Sequence, residues 1–411
     1  MYTFFYNIGM ALMSFVFRLA APFSEKARLW ARGRRKIFKR LEEAIDPGAE
    51  IIWFHAASLG EFEQGRPVIE GFRERYPHYK ILLTFFSPSG YEVRKDYKGA
   101  DYIFYLPVDR LRNAKRFVSI VRPKIAVFIK YEFWGNYLKE LNKNETQVFS
   151  ISAIFRRKSG FFNKFYGRRY RRLLTYFEHL FVQNEGSRRL LKAVGVTNVT
   201  VAGDTRFDRV YDIATQAKVI PALEEFGGKA PLFIAGSTWP ADEELIIQLM
   251  NESPETKFVI APHEIHPERI DRLIASTKRR SVRYTQLAEG EDLARAEILV
   301  IDTIGILSSV YRYGNYAYIG GGFGVGIHNT LEAATFGLPL SFGPNYKKFQ
   351  EATDLISMGG ATSINSYAEL RDWYTHLRDD SLEYNMASDR CRDYVEKGRG
   401  ATEIILSQIK S

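Results

Sequence analysis

The sequence predicts an α/β protein built from two doubly wound halves behind a distinct N-terminal segment. Apolar runs of strand length recur along two stretches of the chain, helical patterns separate them, and many end in glycine or polar residues. Continuous apolar strands that alternate with helices are typical of parallel sheets covered by helices on both faces. The 411 residues also exceed what one ordinary hydrophobic core holds, which agrees with two domains.

Composition narrows the class of protein. Hydrophobic residues make up 45% of the chain, as in folded globular proteins. The net charge of +10 predicts an anionic partner: nucleic acid, acidic lipid or a phosphorylated substrate. The single cysteine, Cys391, rules out an internal disulfide, and no Cys/His cluster has the spacing of a zinc site, so no metal is expected. These features predict a reducing compartment such as the cytoplasm.

The first element is an apolar segment at residues 1–23, interrupted by Asn7 and Arg18. Basic residues follow it closely between Lys26 and Arg40. An apolar helix with positive flanks predicts a membrane anchor whose flank stays on the cytoplasmic side, near anionic lipid. The length leaves open whether the helix spans the bilayer or lies in its interface. The alternative is a buried first helix of a soluble domain.

Strands and helices then alternate through residues 24–209, predicted to form the first domain. Its predicted strands are IIWFHAA (51–57), YKILLTFF (79–86), ADYIFYLP (100–107), KIAVFIKYE (124–132), TQVFSIS (146–152), HLFVQN (179–184) and TNVTVAGD (197–204). Helices are predicted at 61–76 and 186–194.

Residues 210–411 are predicted to form the second domain, after a linker that ends near residue 231. Its predicted strands are LFIAGS (232–237), KFVIAP (257–262), SVRYT (281–285), AEILVID (296–302), NYAYIGG (315–321) and PLSFG (339–343). A last helix at about 380–397 is expected to cross back to the first domain. Ligands of such folds bind at the carboxyl ends of the strands, so two halves facing each other predict a cleft.

The most informative motif is the glycine-rich turn in YIGGGFGVGIHNTLEAATFGLP, residues 318–339. Glycines allow backbone N–H groups to approach a ligand, and a following helix start favours an anion, so the motif predicts a phosphate site. A tight turn without a ligand is the alternative. The candidate ligand-binding residues are Gly321, Gly322, Gly326, His328, Asn329 and Glu332, the last as an acceptor for ribose hydroxyls.

Two other strand ends of the second half carry polar candidates. Ser237 and Thr238 stand on a strand-to-helix turn, as phosphate ligands or as a plain N-cap. His263, His266 and Arg269 follow another strand, where histidines either serve the structure or donate to a phosphate or carboxylate.

The first strand of the first half ends in His55-Ala-Ala-Ser58-Leu-Gly-Glu61. Ser58 suits a helix N-cap, and Glu61 then falls in the first helical turn, beside a strand end where catalytic groups of α/β enzymes gather. The positive helix end is expected to lower the pKa of Glu61, which would keep this carboxylate ionised as a base. A capping-box glutamate with no chemical role is the alternative.

Further candidates follow later strands. Glu132, with aromatic neighbours after the strand at 124–132, predicts a sugar site or an ion pair with Lys130. Arg206 is a candidate for gripping an anionic substrate. The stretch 154–172 interleaves basic and aromatic residues, and together with the anchor it favours a membrane surface over nucleic acid.

Taken in order, these motifs resemble the bacterial 3-deoxy-D-manno-octulosonic acid (Kdo) transferases, over nearly the whole chain. The matching pieces are HAASLGE (55–61), TFFSPSG (84–90), YLPVD (105–109), YEFWGN (131–136), GDTRFD (203–208), AGST (235–238), HPER (266–269), DTIGIL (302–307) and the long run from GGGF to FQEA (320–352).

The resemblance implies the GT-B glycosyltransferase fold, with two Rossmann-like domains facing a cleft and an apolar N-terminal anchor at the inner membrane. It implies transfer of Kdo from CMP-Kdo, the donor substrate, to the lipid A precursor lipid IVA on the cytoplasmic side, without another cofactor. Glu61 would be the base of an inverting reaction. Asn329 and Glu332 would help the glycine-rich turn hold CMP, and Arg206 would hold the Kdo carboxylate.

Two other functions remain open. The chain is also consistent with another GT-B enzyme that uses a UDP-sugar, a glycosyltransferase or an epimerase, or with a non-catalytic lipid-binding protein of the membrane. The nucleotide that binds, and the effect of replacing Glu61, separate these alternatives.

Overall fold

A computed structural model describes residues 2–217, 219–287 and 293–409 of the chain. The chain divides into two compact units, each with its own parallel sheet. The first unit comprises residues 1–209 and 399–411, and the second comprises residues 210–398.

The first unit is built on a seven-stranded parallel sheet with the order β3-β2-β1-β4-β5-β6-β7. Its strands are β1 Ile51–Ala56, β2 Lys80–Phe85, β3 Tyr102–Tyr105, β4 Ile125–Ile129, β5 Gln147–Ala153, β6 His179–Val182 and β7 Val199–Val201. Every pairing is parallel; Phe54, for example, lies opposite Leu83 of β2 and Val127 of β4. The central strands are buried on both faces, as the continuous apolar runs predicted.

Helices precede this sheet and cover both of its faces. They are α1 Tyr2–Ala20, α2 Glu25–Gly33, α3 Ile37–Ala44, α4 Leu59–Arg75, α5 Pro88–Arg94, α6 Leu111–Val121, α7 Gly135–Lys143, α8 Gly167–Leu174, α9 Glu185–Lys192 and α10 Arg206–Thr215. Helix α10 runs across the boundary between the units.

The second unit holds another seven-stranded parallel sheet, ordered β10-β11-β9-β8-β12-β13-β14. Its strands are β8 Leu232–Thr238, β9 Lys257–Pro262, β10 Ser281–Arg283, β11 Ile298–Val300, β12 Tyr316–Ile319, β13 Leu340–Phe342 and β14 Ala361–Ser363. Its helices are α11 Pro221–Gly227, α12 Pro240–Glu252, α13 Pro267–Ala275, α14 Leu307–Val310, α15 Leu331–Ala334, α16 Gln350–Met358, α17 Tyr367–Asp379 and α18 Ser381–Gly398.

Helix α19, Ala401–Gln408, returns the chain to the first unit. Its side chains Ile405 and Leu406 are buried in the core beside β1 and α4, and Asp208 accepts hydrogen bonds from the N–H groups of Gly400 and Thr402 at its start. The helix expected to cross back was the one at 380–397; that helix stays in the second unit, and α19 makes the return.

The thirteen predicted strands are all present, most of them shorter at their ends than predicted. The edge strand β14 was not predicted. Its three residues, Ala-Thr-Ser, carry no apolar run, and β14 forms by pairing with β13 rather than through its own composition.

The N-terminal helix α1 packs on the first unit through one face. Met10 is buried against Trp30, and the Phe17 ring stacks on Trp30 at 4.6 Å. The Tyr6 hydroxyl donates to Asp109 at 2.6 Å. Within the residues that the structure describes, no helix is long and apolar enough to cross a bilayer, so the spanning form of the predicted anchor is not found. Met1 lies outside the described residues.

The other face of α1 carries an exposed apolar stripe. Seven large side chains along and just after the helix are between 49% and 91% exposed: Phe5, Ile8, Leu12, Phe15, Val16, Leu19 and Phe23. Their three- and four-residue spacing places them on one side of the helix. The basic and aromatic stretch 154–172 forms a short 3₁₀ turn and the beginning of α8, with Phe165 95% exposed.

Candidate active site

The candidate site of the first unit lies where the strand order of its sheet reverses. From β1 the chain proceeds to β2 and β3 on one side, whereas β4 pairs with the opposite side of β1. In open α/β sheets the crevice outside the carboxyl ends of such strands is the ligand site. His55 stands in β1, and Glu132 follows β4.

His55 and Glu132 are buried and joined by contacts. The His55 Nε2 atom lies 3.1 Å from a Glu132 carboxylate oxygen, which also accepts a 2.6 Å hydrogen bond from Trp134 Nε1. On the other side of the ring, His55 Nδ1 lies 3.1 Å from the Thr84 carbonyl oxygen. The Thr84 hydroxyl oxygen lies nearer still, 2.8 Å from Nδ1, and a hydroxyl can either donate or accept there.

Glu61 occupies the first turn of α4, and one of its carboxylate oxygens is anchored. Oε2 accepts hydrogen bonds from the backbone N–H groups of Ala57 at 2.7 Å and Ser58 at 3.2 Å. The other oxygen, Oε1, makes no hydrogen bond with a described residue. Glu61 therefore has the capping contact expected of a structural glutamate and also one oxygen left to act on a ligand.

The pKa of Glu61 is raised, contrary to the sequence-based expectation that the helix start would lower it. Burial is the largest cause, and the negative charge of Glu132 adds to it. The Ala57 hydrogen bond, His55 and Lys130 act in the opposite direction but do not prevail. The sequence shows the helix start but not the second carboxylate, which the fold brings in from β4.

Ser58 and Arg206 have definite places in the first unit. The N–H of Ser58 contributes to the anchoring of Glu61. Arg206 is paired with Asp204 through its Nε and Nη2 atoms, at 2.9 and 2.7 Å. A substrate carboxylate at Arg206 would therefore share the guanidinium with Asp204.

The candidate site of the second unit also lies at a reversal of strand order, between β8 and β12. The glycine-rich turn begins directly after β12 and packs tightly against its neighbours. A Cβ at Gly320 would lie 2.2 Å from the Ser237 carbonyl oxygen, and one at Gly322 would lie 2.5 Å from the Gly343 nitrogen. Gly321 and Gly326 have φ values of 93° and 139°, which other residues rarely adopt.

The helix after the turn is much shorter than predicted. The sequence LEAATFG forms only the four-residue α15, and the N–H of Leu331 is already bonded to the Asn329 side chain. Four residues supply little macrodipole, so the helix start is a weaker anion site than the sequence suggested.

Three aromatic side chains meet beside the turn: Trp239, His263 and His328. The His263 ring stacks on His328 at 4.4 Å and on Trp239 at 4.7 Å. Trp239 Nε1 donates to His328 Nε2 at 3.3 Å, so a neutral His328 carries its proton on Nδ1. Burial and the neighbouring His263 lower the pKa of His328, which favours this neutral form.

Glu332 is held by two hydrogen bonds at the other side of the turn. Ser308 Oγ donates to one carboxylate oxygen at 2.7 Å and Asn329 Nδ2 to the other at 3.0 Å. Each oxygen keeps a lone pair, so the carboxylate can still accept from a ribose hydroxyl.

Other predicted residues of the second unit are engaged with each other. Thr238 Oγ1 donates to Glu243 at 2.8 Å, and the buried Arg269 donates to the same Glu243 oxygen at 2.9 Å. Ser237 is half-buried with a positive φ of 55°. His266 is the exposed N-cap residue of α13 and lies outside the stack that the described rings of Trp239, His263 and His328 form.

Sequence reasoning missed two contributors to these sites, Trp239 and Asp242, whereas Trp134 was among the aromatic neighbours expected beside Glu132. Asp242 accepts from the Tyr318 hydroxyl at 2.7 Å and from the Gly321 N–H at 2.9 Å, and so fixes the start of the glycine-rich turn. The pattern Trp-Pro-Ala-Asp at 239–242 is a recognisable helix start, with proline in the first turn and an acid three residues after the N-cap. That pattern predicts that Asp242 caps α12. It does not predict that Asp242 also bonds to Tyr318 of β12 and to the glycine-rich turn.

Comparison with known proteins agrees with the fold and the motifs. Residues 29–209 match the family model described as 3-deoxy-D-manno-octulosonic-acid transferase (kdotransferase). The chain is 25% identical over 367 residues to 3-deoxy-D-manno-octulosonic acid transferase of Rickettsia bellii (strain RML369-C), covering 85% of each chain. It is 26% identical over 334 residues to the enzyme of the same name from Aquifex aeolicus (strain VF5), covering 79% of this chain and 86% of that one.

Among solved structures, the fold is similar to UDP-GlcNAc 2-epimerase from Neisseria meningitidis. The TM-score is 0.61 at 14% identity, and the match covers 87% of this chain and 98% of that one. This likeness shows a GT-B-like, Rossmann-type fold and nothing of the substrate. The family match over residues 29–209 and the relatives of the same name mark the chain as a glycosyltransferase enzyme similar to the Kdo transferases.

Proposed function

We propose that the chain transfers Kdo from CMP-Kdo to a lipid A precursor, lipid IVA, in lipopolysaccharide synthesis. Similarity to the Kdo transferases supports the donor and the kind of acceptor. The proposed reaction rests on the geometry of Glu61. Two backbone N–H groups fix its Oε2, while its Oε1 makes no hydrogen bond with a described residue.

In the proposed reaction, Glu61 is the general base. Its Oε1 takes the proton of the acceptor hydroxyl as that oxygen attacks the anomeric carbon of Kdo. The bond between this carbon and the phosphate oxygen breaks, and CMP leaves with the bonding electrons. Attack from the face opposite the leaving group inverts the configuration. The raised pKa of Glu61 makes the carboxylate a stronger base for this step.

The second unit is proposed to hold the CMP-Kdo donor. A neutral His328 can donate from Nδ1 to a phosphate oxygen, and Glu332 can accept from the ribose hydroxyls. Backbone N–H groups of the glycine-rich turn are the other proposed donors to the phosphate. Arg206 remains the candidate for the Kdo carboxylate, in competition with Asp204. Beyond the donor substrate, the proposal needs no cofactor.

The enzyme is further proposed to work at the cytoplasmic side of the inner membrane, with α1 lying in the interface. The exposed apolar stripe of α1 supports this placement, because a helix with one apolar face lies in the plane of a membrane rather than across it. Phe165 and the basic residues around α8 are proposed to contact anionic lipid.

Product analysis by mass spectrometry, with CMP-Kdo and lipid IVA, tests the reaction. We expect a Kdo-bearing product from the wild type and a rate lower by about 10²–10⁴-fold for Glu61→Gln, which keeps the shape but cannot take a proton. If the Glu61→Gln variant transferred Kdo at the wild-type rate, Glu61 would not be the base.

Thermal unfolding with nucleotides separates the main alternative. CMP is expected to raise the melting temperature of the protein and UDP is not, because a ligand stabilises the folded state that binds it. Stabilisation by UDP alone would instead favour a UDP-sugar enzyme.

A further inference from the structure

A cavity of about 730 Å³ opens in the first unit, apart from the Glu61 and glycine-rich sites. It lies between α1, the junction of α2 with α3, and the start of α6. Apolar side chains, among them Trp30, Ile37 and Val108, form part of its lining. Its size suits a charged headgroup together with part of the molecule that carries it.

The lining of this cavity is strongly cationic. Eight of its residues are Lys or Arg, and none of the described residues that line it is acidic. Two of the eight are paired with glutamates outside the cavity: Lys39 with Glu43 and Arg116 with Glu42. Five others, all with exposed side chains, make no ion pair with any described carboxylate: Arg18, Arg32, Arg35, Lys36 and Arg110. Like charges gathered around one space repel each other, and an anion placed there relieves the repulsion.

The eighth cation, Arg34, is fixed in the wall. Its guanidinium donates to the carbonyl oxygens of Trp30, Phe86 and Leu106 at 2.7 to 3.1 Å, and it lies 4.1 Å from the Trp30 ring centre. These neutral partners satisfy its N–H groups without cancelling its charge. Burial lowers the pKa of Arg34 to about 9, which leaves it positive at neutral pH. The positive potential of the cavity is therefore built into the fold.

The surroundings of the cavity indicate an amphiphilic ligand. Ser14 and Arg18 of α1 line it, whereas Phe15 and Leu19 of the same helix belong to the exposed apolar stripe. A molecule with its anionic group in the cavity would have its apolar part beside that stripe.

Aromatic contacts link the cavity wall to the Glu61 side of the sheet. The Phe86 ring lies 6.0 Å from Trp30 and 5.0 Å from Trp134, and Trp134 donates to Glu132. An acceptor can therefore be held by one end at the cavity while its sugar hydroxyl is presented to the base.

We propose that this cavity binds the phosphate group of a membrane lipid. Guanidinium groups bind phosphate through paired N–H donors, and several of them converge here. The phosphate has two sources: the phosphorylated lipid acceptor, in which case the cavity is an acceptor subsite and rests on the proposed function, or an anionic phospholipid that retains the enzyme at the membrane.

The test compares Arg35→Gln/Arg110→Gln with a matched control, Arg28→Gln/Arg112→Gln. Both variants remove two positive charges from exposed positions near α2 and α6, but only the first pair lines the cavity. One arm measures the binding of each protein to phosphatidylcholine vesicles with and without phosphatidate. The other measures KM and kcat in detergent for lipid IVA and for its dephosphorylated form.

If the acceptor supplies the phosphate, the cavity variant raises KM for lipid IVA about tenfold relative to the control, with little change in kcat. The dephosphorylated acceptor then shows no such difference. If a phospholipid supplies it, phosphatidate-dependent vesicle binding weakens about tenfold instead. In either case Arg35→Lys/Arg110→Lys restores part of the loss.

Equal behaviour of the cavity and control variants in both arms overturns the proposal. A wild type that transfers no Kdo refutes the proposed function but not the cavity, because the vesicle arm is independent of turnover. If the wild type transfers Kdo and the cavity and control variants behave alike in both arms, the proposed phosphate site is refuted and the proposed function is not.

Discussion

Glu61 shows how a single residue combines a structural and a chemical task. Its Oε2 closes the start of α4 on the N–H groups of Ala57 and Ser58, which restricts the side chain to one orientation. Its pKa is raised by burial and by Glu132, a residue seventy-one positions later in the sequence. Burial and the neighbouring carboxylate therefore set the direction of the shift, while the Ala57 N–H that positions Glu61 opposes it.

This tuning predicts the effect of Glu132→Gln on pH dependence. A base acts in its deprotonated form, so activity falls as pH drops through the pKa of Glu61. Removing the negative charge of Glu132 lowers that pKa, and we expect the acid limb of the kcat/KM profile to move to lower pH.

Glu63→Gln is the control, since Glu63 also lies on α4 but pairs with Arg94 at 2.8 Å and is not among the causes of the Glu61 shift. An acid limb that stays in place in Glu132→Gln, or moves to higher pH, would contradict the account.

At the scale of elements, the glycine-rich turn is defined by close packing more than by helix chemistry. Its helix, α15, has only four residues, whereas its glycines lie against the backbone of neighbouring segments. Gly322 and Gly343 approach each other so closely that neither has room for a side chain.

Gly322→Ala is therefore expected to destabilise the second unit by about 1–3 kcal/mol, because its Cβ would lie 2.5 Å from the Gly343 nitrogen. Gly324→Ala, in the same turn, meets its nearest atom at an ordinary 3.6 Å and should change stability by less than about 0.5 kcal/mol. Urea unfolding measures both. Equal stabilities of the two variants would show that the turn relaxes to accept the methyl group.

Helix α1 is the second element with a specific prediction. We expect the triple variant Leu12→Ser/Phe15→Ser/Leu19→Ser to bind vesicles at least about tenfold more weakly than the wild type. Each of these exposed side chains contributes about 1.5–3 kcal/mol to binding when it is buried in an apolar phase. The melting temperature should change little, because Met10 and Phe17, on the packed side, are untouched.

The control is the triple variant Val93→Ser/Ile304→Ser/Leu382→Ser. It also removes three exposed apolar side chains, but from positions outside α1. Vesicle binding that falls equally in both variants would mean that α1 has no special role at the membrane.

At the scale of the whole molecule, the chain does not divide at a single point. The first unit is completed by residues 399–411, in which Ile405 and Leu406 of α19 and Ile409 just after it are buried in the core. The first unit therefore depends on a segment that is made only after the second unit.

Ile405→Ala is expected to cost the first unit about 2–5 kcal/mol, the usual range for emptying a fully buried isoleucine site. Stabilisation of the protein by CMP should persist, since the proposed nucleotide residues belong to the second unit. Ser407→Ala, exposed on the same helix, should be close to neutral. Calorimetry in the presence and absence of CMP checks both, and loss of the CMP effect in Ile405→Ala would contradict the assignment of the nucleotide site to the second unit.

The sequence by itself determined the alternation of buried strands and helices, because a strand covered on both faces needs a continuous apolar run, as in β1 and β4. It also determined the start of α4 and the glycine-rich turn, which depend on local backbone preferences. Only the tertiary structure decided which groups meet: Glu132 beside His55, Trp239 against His263 and His328, and the arginines that share one cavity. Partners distant in sequence are brought together by strand order and packing, and these leave no pattern in the neighbouring residues.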